Sequence, residues 1–193
     1  MVKLRKGSDE MKRIACMLAD GFEETEALET VDILRRAGFH VDLVSIDKEI
    51  VRGSHNIKVV SDRLIGDDII DYDMIFLPGG LPGATNLKTD VRVLNLLRIF
   101  DEKKKWIAAV CAAPSVLAAA GIIKGKKLTS YPVSAGDRTY EGGEYLEDLV
   151  VVDGHLITSR GVATVPQFAL TLVNLLGGDA VKLHKAMLFH LLD

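Results

Sequence analysis

One cysteine in this sequence stands where a thiol can react. Cys111 lies in WIAAVCAAPSVLAAAG, residues 106–121, between an apolar run and a small-residue helix opened by Pro114. Proline fits a helix only in its first turn, so Pro114 marks the helix start and sets Cys111 at the carboxyl end of a strand. Free backbone N–H groups and the positive end of a helix dipole favour a thiolate there, and such positions lower a cysteine pKa from about 8.5 into the ~3.5–7.5 range. The flanking alanines leave room for a tight strand-turn-helix elbow and for a ligand. A free cysteine is also a common small core residue, so position alone leaves the reactive and the packing readings level. Cys16, in mid-strand within RIACML, reads as inert core.

Two further strand ends point to the same place. LPGGLPGATN follows an apolar run and offers Gly79 and Gly80, whose N–H groups can approach an oxyanion with no side chain in the way. ADGFEETEALE puts Glu23, Glu24, Glu26 and Glu29 at the beginning of a helix. Acidic residues there ordinarily complement the helix dipole and are solvated. A carboxyl turned into the cleft beside Cys111 would instead be a buried acid or a base, and spacing does not choose which of the four it is. The two cysteines and five histidines show no C-x-x-C or H-E-x-x-H spacing, so no metal is expected. GIIKGKK lacks the spacing of a phosphate loop, and no nucleotide cofactor is expected either.

The elements that must position these residues alternate between strand and helix, the pattern of an α/β fold with a mostly parallel sheet. RIACMLA is the first strand. A helix follows from about Glu24 to Ala37, with Ala27, Leu28, Val31 and Leu34 on one face and Gly38 ending it. FHVDLVSI is the next strand, and DKEIVRGSHNIKVVSD reads as a hairpin or edge excursion. DYDMIFL and WIAAV are buried strands separated by helical segments over residues 87–104, and GIIKGKKLTSYP is expected to return to the sheet. VVVDGHLITSR is a hairpin around Asp153-Gly154, and two helices, residues 164–176 and 179–191, close the domain.

At 193 residues the chain suits one domain, taken as residues 11–193 behind a polar extension, residues 1–10, that carries no fold argument. With 48% hydrophobic residues, 26% charged residues and a net charge of −3, there is no basic excess for nucleic acid and no polybasic block for a membrane surface. No apolar stretch approaches the ~18–20 residues of a membrane span, and two cysteines are no disulfide framework, which suits a reducing cytoplasm.

ADGFEETEALETVDILRRAGF, FLPGG, AAVCAAPSVLA and LITSRG, in order from Met11 to the C-terminus, closely resemble the ThiJ/PfpI superfamily, in the branch that contains the parkinsonism-associated deglycase and bacterial YajL. The resemblance implies a flavodoxin-like three-layer sandwich, a homodimer and an oxidation-sensitive cysteine, Cys111, at a nucleophile elbow. It matches the buried glutamic acid of the family to Glu26 and the oxyanion amides to Gly79, Gly80 and Ala112. Arg36 and Arg160 match positions near the dimer interface and the pocket, and His55 stands where some relatives have an arginine. Tyr131 replaces a histidine that many relatives carry, which argues against an imidazole base here. Ala112 stands where the peptidase branch has a histidine. The function implied is a cytoplasmic, cofactor-independent deglycase or glyoxalase III-like enzyme of the stress response, acting on methylglyoxal or its adducts on thiols and amines. A redox sensor or chaperone without turnover uses the same residues, and an intracellular cysteine peptidase is the weakest of the three readings.

Overall fold

Arg13–Leu18 (β1) is buried from its second residue onward, as a central strand covered on both faces must be. The computed structural model describes residues 11–132 and 140–191; the expected extension, residues 1–10, lies outside the described residues. β1 feeds Glu24–Arg36 (α1), which buries Ala27, Val31 and Leu34 and turns Asp32 and Arg36 to solvent. Gly38, at φ 87°, takes the chain out of the helix in the left-handed region that glycine tolerates. His40–Ser45 (β2) then runs parallel to β1. Ile50–Arg52 (β3) and Lys58–Val60 (β4) form an antiparallel hairpin outside the main sheet, and Arg63–Leu64 (β5) extends the sheet beyond β2.

Met74–Leu77 (β6) lies on the other side of β1, all four residues buried. Gly83–Thr89 (α2) and Val91–Glu102 (α3) come next. The sequence reads helical segments over residues 87–104, and the first of them starts earlier, at Gly83. The Asp90 side chain accepts from the Arg92 N–H at 2.9 Å and starts the second helix. Trp106–Val110 (β7) leads to Pro114–Ala120 (α4), with Pro114 in the first turn. Lys127–Leu128 (β8) does not rejoin the main sheet as expected; it pairs with Glu144–Tyr145 (β9) in a small parallel sheet. Val150–Asp153 (β10) and Leu156–Ser159 (β11) are the expected hairpin. Val165–Leu175 (α5) and Ala180–Ala186 (α6) follow, α6 being shorter than the pattern predicts, with a separate 3-10 turn at Phe189–Leu191.

The main sheet has the order β10-β11-β7-β6-β1-β2-β5, with β10 alone antiparallel. Its parallel run β2-β1-β6-β7-β11 is the 2-1-3-4-5 order of a flavodoxin-like fold, and strand order reverses between β1 and β6. Alternation along β1 feeds two cores. Ile14, Cys16 and Leu18 pack with Phe76, Phe168 and Leu172 on one face, while Ala15 and Met17 pack with Leu97, Phe100 and Val116 on the other. Among the described residues no helix is long and apolar enough to cross a membrane.

Candidate active site

The carboxyl ends of β1, β6 and β7 meet at the reversal of strand order, where doubly wound sheets hold ligands. Cys111 leaves β7 with φ 62°, a left-handed conformation that costs a non-glycine residue roughly 1–2 kcal/mol. Two backbone bonds hold it there. Its N–H donates to the Ser159 carbonyl at 3.1 Å, and its carbonyl accepts from the Tyr131 N–H at 3.0 Å. The turn throws the side chain off the line of the strand, so the thiol is half-buried instead of packed like Cys16.

The loop after β6 closes on this elbow because it has no side chains to keep it away. A Cβ on Gly79 would lie 2.6 Å from the Cys111 Cβ and 2.6 Å from Glu26 Oε2. Gly80, at φ 86°, brings its own backbone against that of Glu23. The backbone N–H groups of Gly80 and Ala112 lie on the Cys111 side of the loop and elbow and favour its thiolate. The Gly79 N–H is engaged elsewhere: it donates to Glu26 Oε2 at 2.8 Å and so orients the carboxyl.

Of the four acidic residues the sequence leaves open, Glu26 is the one against the thiol. It is fully buried in the first turn of α1, and among the described residues no N–H or O–H reaches its second oxygen, Oε1. Glu23 caps the helix by accepting from the Glu26 N–H, Glu24 is buried against the β3–β4 turn, and Glu29 lies partly exposed a turn further along. Burial pushes the Glu26 carboxyl up to about 7; hydrogen bonds from Cys111 and Gly79 pull the other way, and the Glu23 charge adds to the rise.

The thiol shows the reverse of the expected shift. Burial, then the charge and hydrogen bond of Glu26, push Cys111 up to about 12, against the Gly80 and Ala112 amides. The shift runs against the helix-start argument because the loss of water, and after it the neighbouring Glu26 carboxylate, outweigh two amides. A sequence shows the helix start; it does not show the acid placed opposite.

The remaining residues expected at the site divide. Tyr131 lies beside it, 56% exposed, and a Cβ built on Gly161 would sit 3.5 Å from the tyrosine ring and 3.9 Å from Glu26 Oε1, so Gly161 lines the same opening. Arg160 donates from Nη1 to the Glu147 carbonyl at 2.5 Å. Arg36 is ion-paired with Asp32 at 2.6 Å, ten residues and so about 15 Å along α1 from Glu26. His55 meets Glu24, not Cys111: its Nδ1 is 3.0 Å from Glu24 Oε2, and that hydrogen bond raises the imidazole above its ordinary pKa. The docking of the β3–β4 turn on the start of α1 was not legible in the sequence. Gly21 N–H donates to Arg52 O at 2.7 Å and Ser54 N–H to Phe22 O at 2.8 Å. The one trace is Gly53, where a Cβ would fall 2.3 Å from the Glu24 carboxyl carbon.

Known proteins share this arrangement of chain. Residues 12–175 match the DJ-1/PfpI family. The Parkinson disease protein 7 homolog of Danio rerio is 40% identical over 175 residues, spanning 88% of this chain and 92% of the relative. The glutathione-independent glyoxalase DJR-1.2 of Caenorhabditis elegans is 35% identical over 158 residues, 81% of this chain and 83% of the relative. YraA of Bacillus subtilis, which bears the provisional name of a cysteine protease, is 35% identical over 86% of this chain and 98% of its own. The chain spans only 43% of the Arabidopsis thaliana protein DJ-1 homolog A, at 37% identity over 86% of this chain. The crystal structure of Drosophila melanogaster DJ-1beta superposes with a TM-score of 0.86 at 36% identity, over 92% of this chain and 98% of that one.

Proposed function

Since the chain belongs to the DJ-1/PfpI family, we propose that it is a cysteine-dependent enzyme of reactive-carbonyl defence, acting as a homodimer on methylglyoxal or its early adducts. The observation that carries this reading is the buried Glu26 carboxyl held by Gly79 beside the Cys111 thiol, where the Gly80 and Ala112 amides favour negative charge. A thiol raised to about 12 offers little free thiolate at neutral pH, whereas a carboxyl near 7 is substantially ionised there. Glu26 therefore acts as general base, taking the S–H proton as sulfur bonds to the aldehyde carbon, then returning it to the alkoxide oxygen. The Gly80 and Ala112 amides stabilise that oxygen while it is charged. In the hemithioacetal, Glu26 then moves a proton from the former aldehyde carbon to its neighbour through an enediol, leaving a thioester that water cleaves. The balance is methylglyoxal plus water to lactate, one carbon oxidised and the other reduced, with no outside oxidant. The relative named as a glutathione-independent glyoxalase supports this substrate class.

The second reading is a redox sensor or chaperone without turnover, supported by the half-buried thiol and the amides that would also hold a sulfinate. A peptidase reading draws on the name of the Bacillus subtilis relative and predicts cleavage of unfolded protein lost on Cys111→Ser. Lactate release from methylglyoxal by metal-free protein, normalised to active thiol, separates them. Many turnovers per thiol, abolished in Cys111→Ser, are expected. Consumption that stops at one equivalent overturns the enzyme in favour of the sensor.

A further inference from the structure

At the rim of the cysteine cleft, we propose that Glu23, Glu24 and His55 form a binding site for a divalent transition-metal ion of the Zn²⁺ type. The three side chains come from two elements, the start of α1 and the β3–β4 turn, and each offers a ligand atom within 4.8 Å of the other two. His55 Nδ1 lies 3.0 Å from Glu24 Oε2 and 3.9 Å from Glu23 Oε1. Ligands around a tetrahedral zinc at its usual bond lengths stand ~3.4 Å apart, so these separations bracket what the ion needs with small side-chain rotations.

Each carboxylate is anchored to backbone through one oxygen and turns the other toward the imidazole. Glu23 Oε2 accepts from the Glu26 N–H at 2.7 Å, leaving Oε1 toward the imidazole. Glu24 Oε1 accepts from the His55 N–H at 2.7 Å and from the Ile57 N–H at 3.4 Å, while Oε2, turned toward the imidazole, accepts from Ser54 Oγ at 3.1 Å, a bond the ion would replace. Outer hydrogen bonds that fix the orientation of ligating carboxylates are what a preformed metal site requires. Both carboxylates are largely buried, with side-chain exposures of 12% and 5%, while the histidine is 72% exposed. The buried side is thus anionic, and the open side leaves a fourth position to water.

Charge favours a dication. Two carboxylates against one imidazole leave an excess of negative charge next to the fully buried Glu26, and the half-charge of the helix N-terminus is too small to cancel it. On binding, the ion takes the Nδ1 lone pair and displaces the proton that Nδ1 shares with Glu24 Oε2, which leaves to solvent. Imidazole with carboxylate oxygens selects Zn²⁺ and its neighbours over the oxygen-loving Mg²⁺ and Ca²⁺.

Titration of the full chain, stripped with chelator, with Zn²⁺ alone tests the site calorimetrically, and Co²⁺ absorption reads its ligands. One equivalent per chain is expected, with tetrahedral Co²⁺ bands and no sulfur charge-transfer band. His55→Ala weakens binding by at least about tenfold. His55→Arg does the same while keeping a cation beside Glu24, which guards against loss of the turn's packing; thermal melting confirms that both variants fold. Cys111→Ser binds as the parent does. Absence of saturable binding overturns the site, as does binding that survives His55→Ala and His55→Arg, or binding lost in Cys111→Ser with a thiolate band in the parent. None of these outcomes depends on turnover of a carbonyl.

Discussion

Glu26 is fully buried beside the half-buried Cys111 thiol: the carboxyl disfavours the thiolate, whereas the thiol's hydrogen bond favours the carboxylate. A carboxyl whose folded value rises from 4.5 to about 7 binds its proton more tightly in the folded chain than in the unfolded one. Its stabilisation is therefore complete below about pH 4.5 and is lost as pH rises through about 7, on the order of 3 kcal/mol for a rise of that size. Glu26→Gln removes this slope: thermal melts from pH 4.5 to 7 should show the parent losing stability relative to the variant by up to that amount. The same variant removes the negative charge that pushes Cys111 up, so the onset of iodoacetamide alkylation moves to lower pH. Parallel melts and an unchanged alkylation profile would take Glu26 out of contact with the thiol. At this scale the sequence was half legible. Pro114 located the elbow, but which face of α1 turns Glu26 inward depends on how the helix packs against α5 and β2, which no spacing within α1 records.

Three elements make the site: β7 with its elbow, the glycine loop after β6, and the start of α1. Their fit depends on bare backbone at Gly79, where a Cβ would meet Cys111 Cβ and Glu26 Oε2 at 2.6 Å and the Ala112 nitrogen at 3.0 Å. Gly79→Ala must therefore push the loop from the elbow, costing about 1–3 kcal/mol as overpacking does and loosening the carboxyl from the thiol. Gly154→Ala is the control, since that glycine has φ 62° but nothing within 4 Å of a Cβ. It bears the strain of a left-handed residue alone. Melting temperature should fall in both variants, whereas the rate and pH dependence of Cys111 alkylation should change only in Gly79→Ala. Equal reactivity in the two would mean that the glycine loop does not hold the site. Strands, parallel order and the terminal hairpin were readable because continuous apolar runs and turn residues are local signals. The pairing of β8 with β9 and the docking of His55 on Glu24 were not, because each joins segments whose contact is decided by the packed sheet.

At the scale of the whole molecule, the described residues leave one face of the β3–β4 hairpin uncovered. Ile50 and Val60 are directly opposite each other, 52% and 60% exposed, while Val51 on the other face is buried. Leu64 on the two-residue edge strand nearby is half exposed as well. Cross-strand apolar pairs gain little from facing water, and an edge this short offers few backbone groups for sheet extension, so side-chain burial is what a second copy would provide. The hairpin also supplies Ser54 and His55 to the start of α1, which ties any contact on its outer face to the geometry beside Glu24 and Glu26. A homodimer through this face should sediment at twice the 21.0 kDa of one chain at micromolar concentration. Val60→Asp places a charge in that contact without touching the core, so it should give monomer with a nearly unchanged melt in dilute solution. Sedimentation of the parent as a monomer would end the homodimer reading. A Val60→Asp dimer of parental stability would move the interface to another face of the molecule.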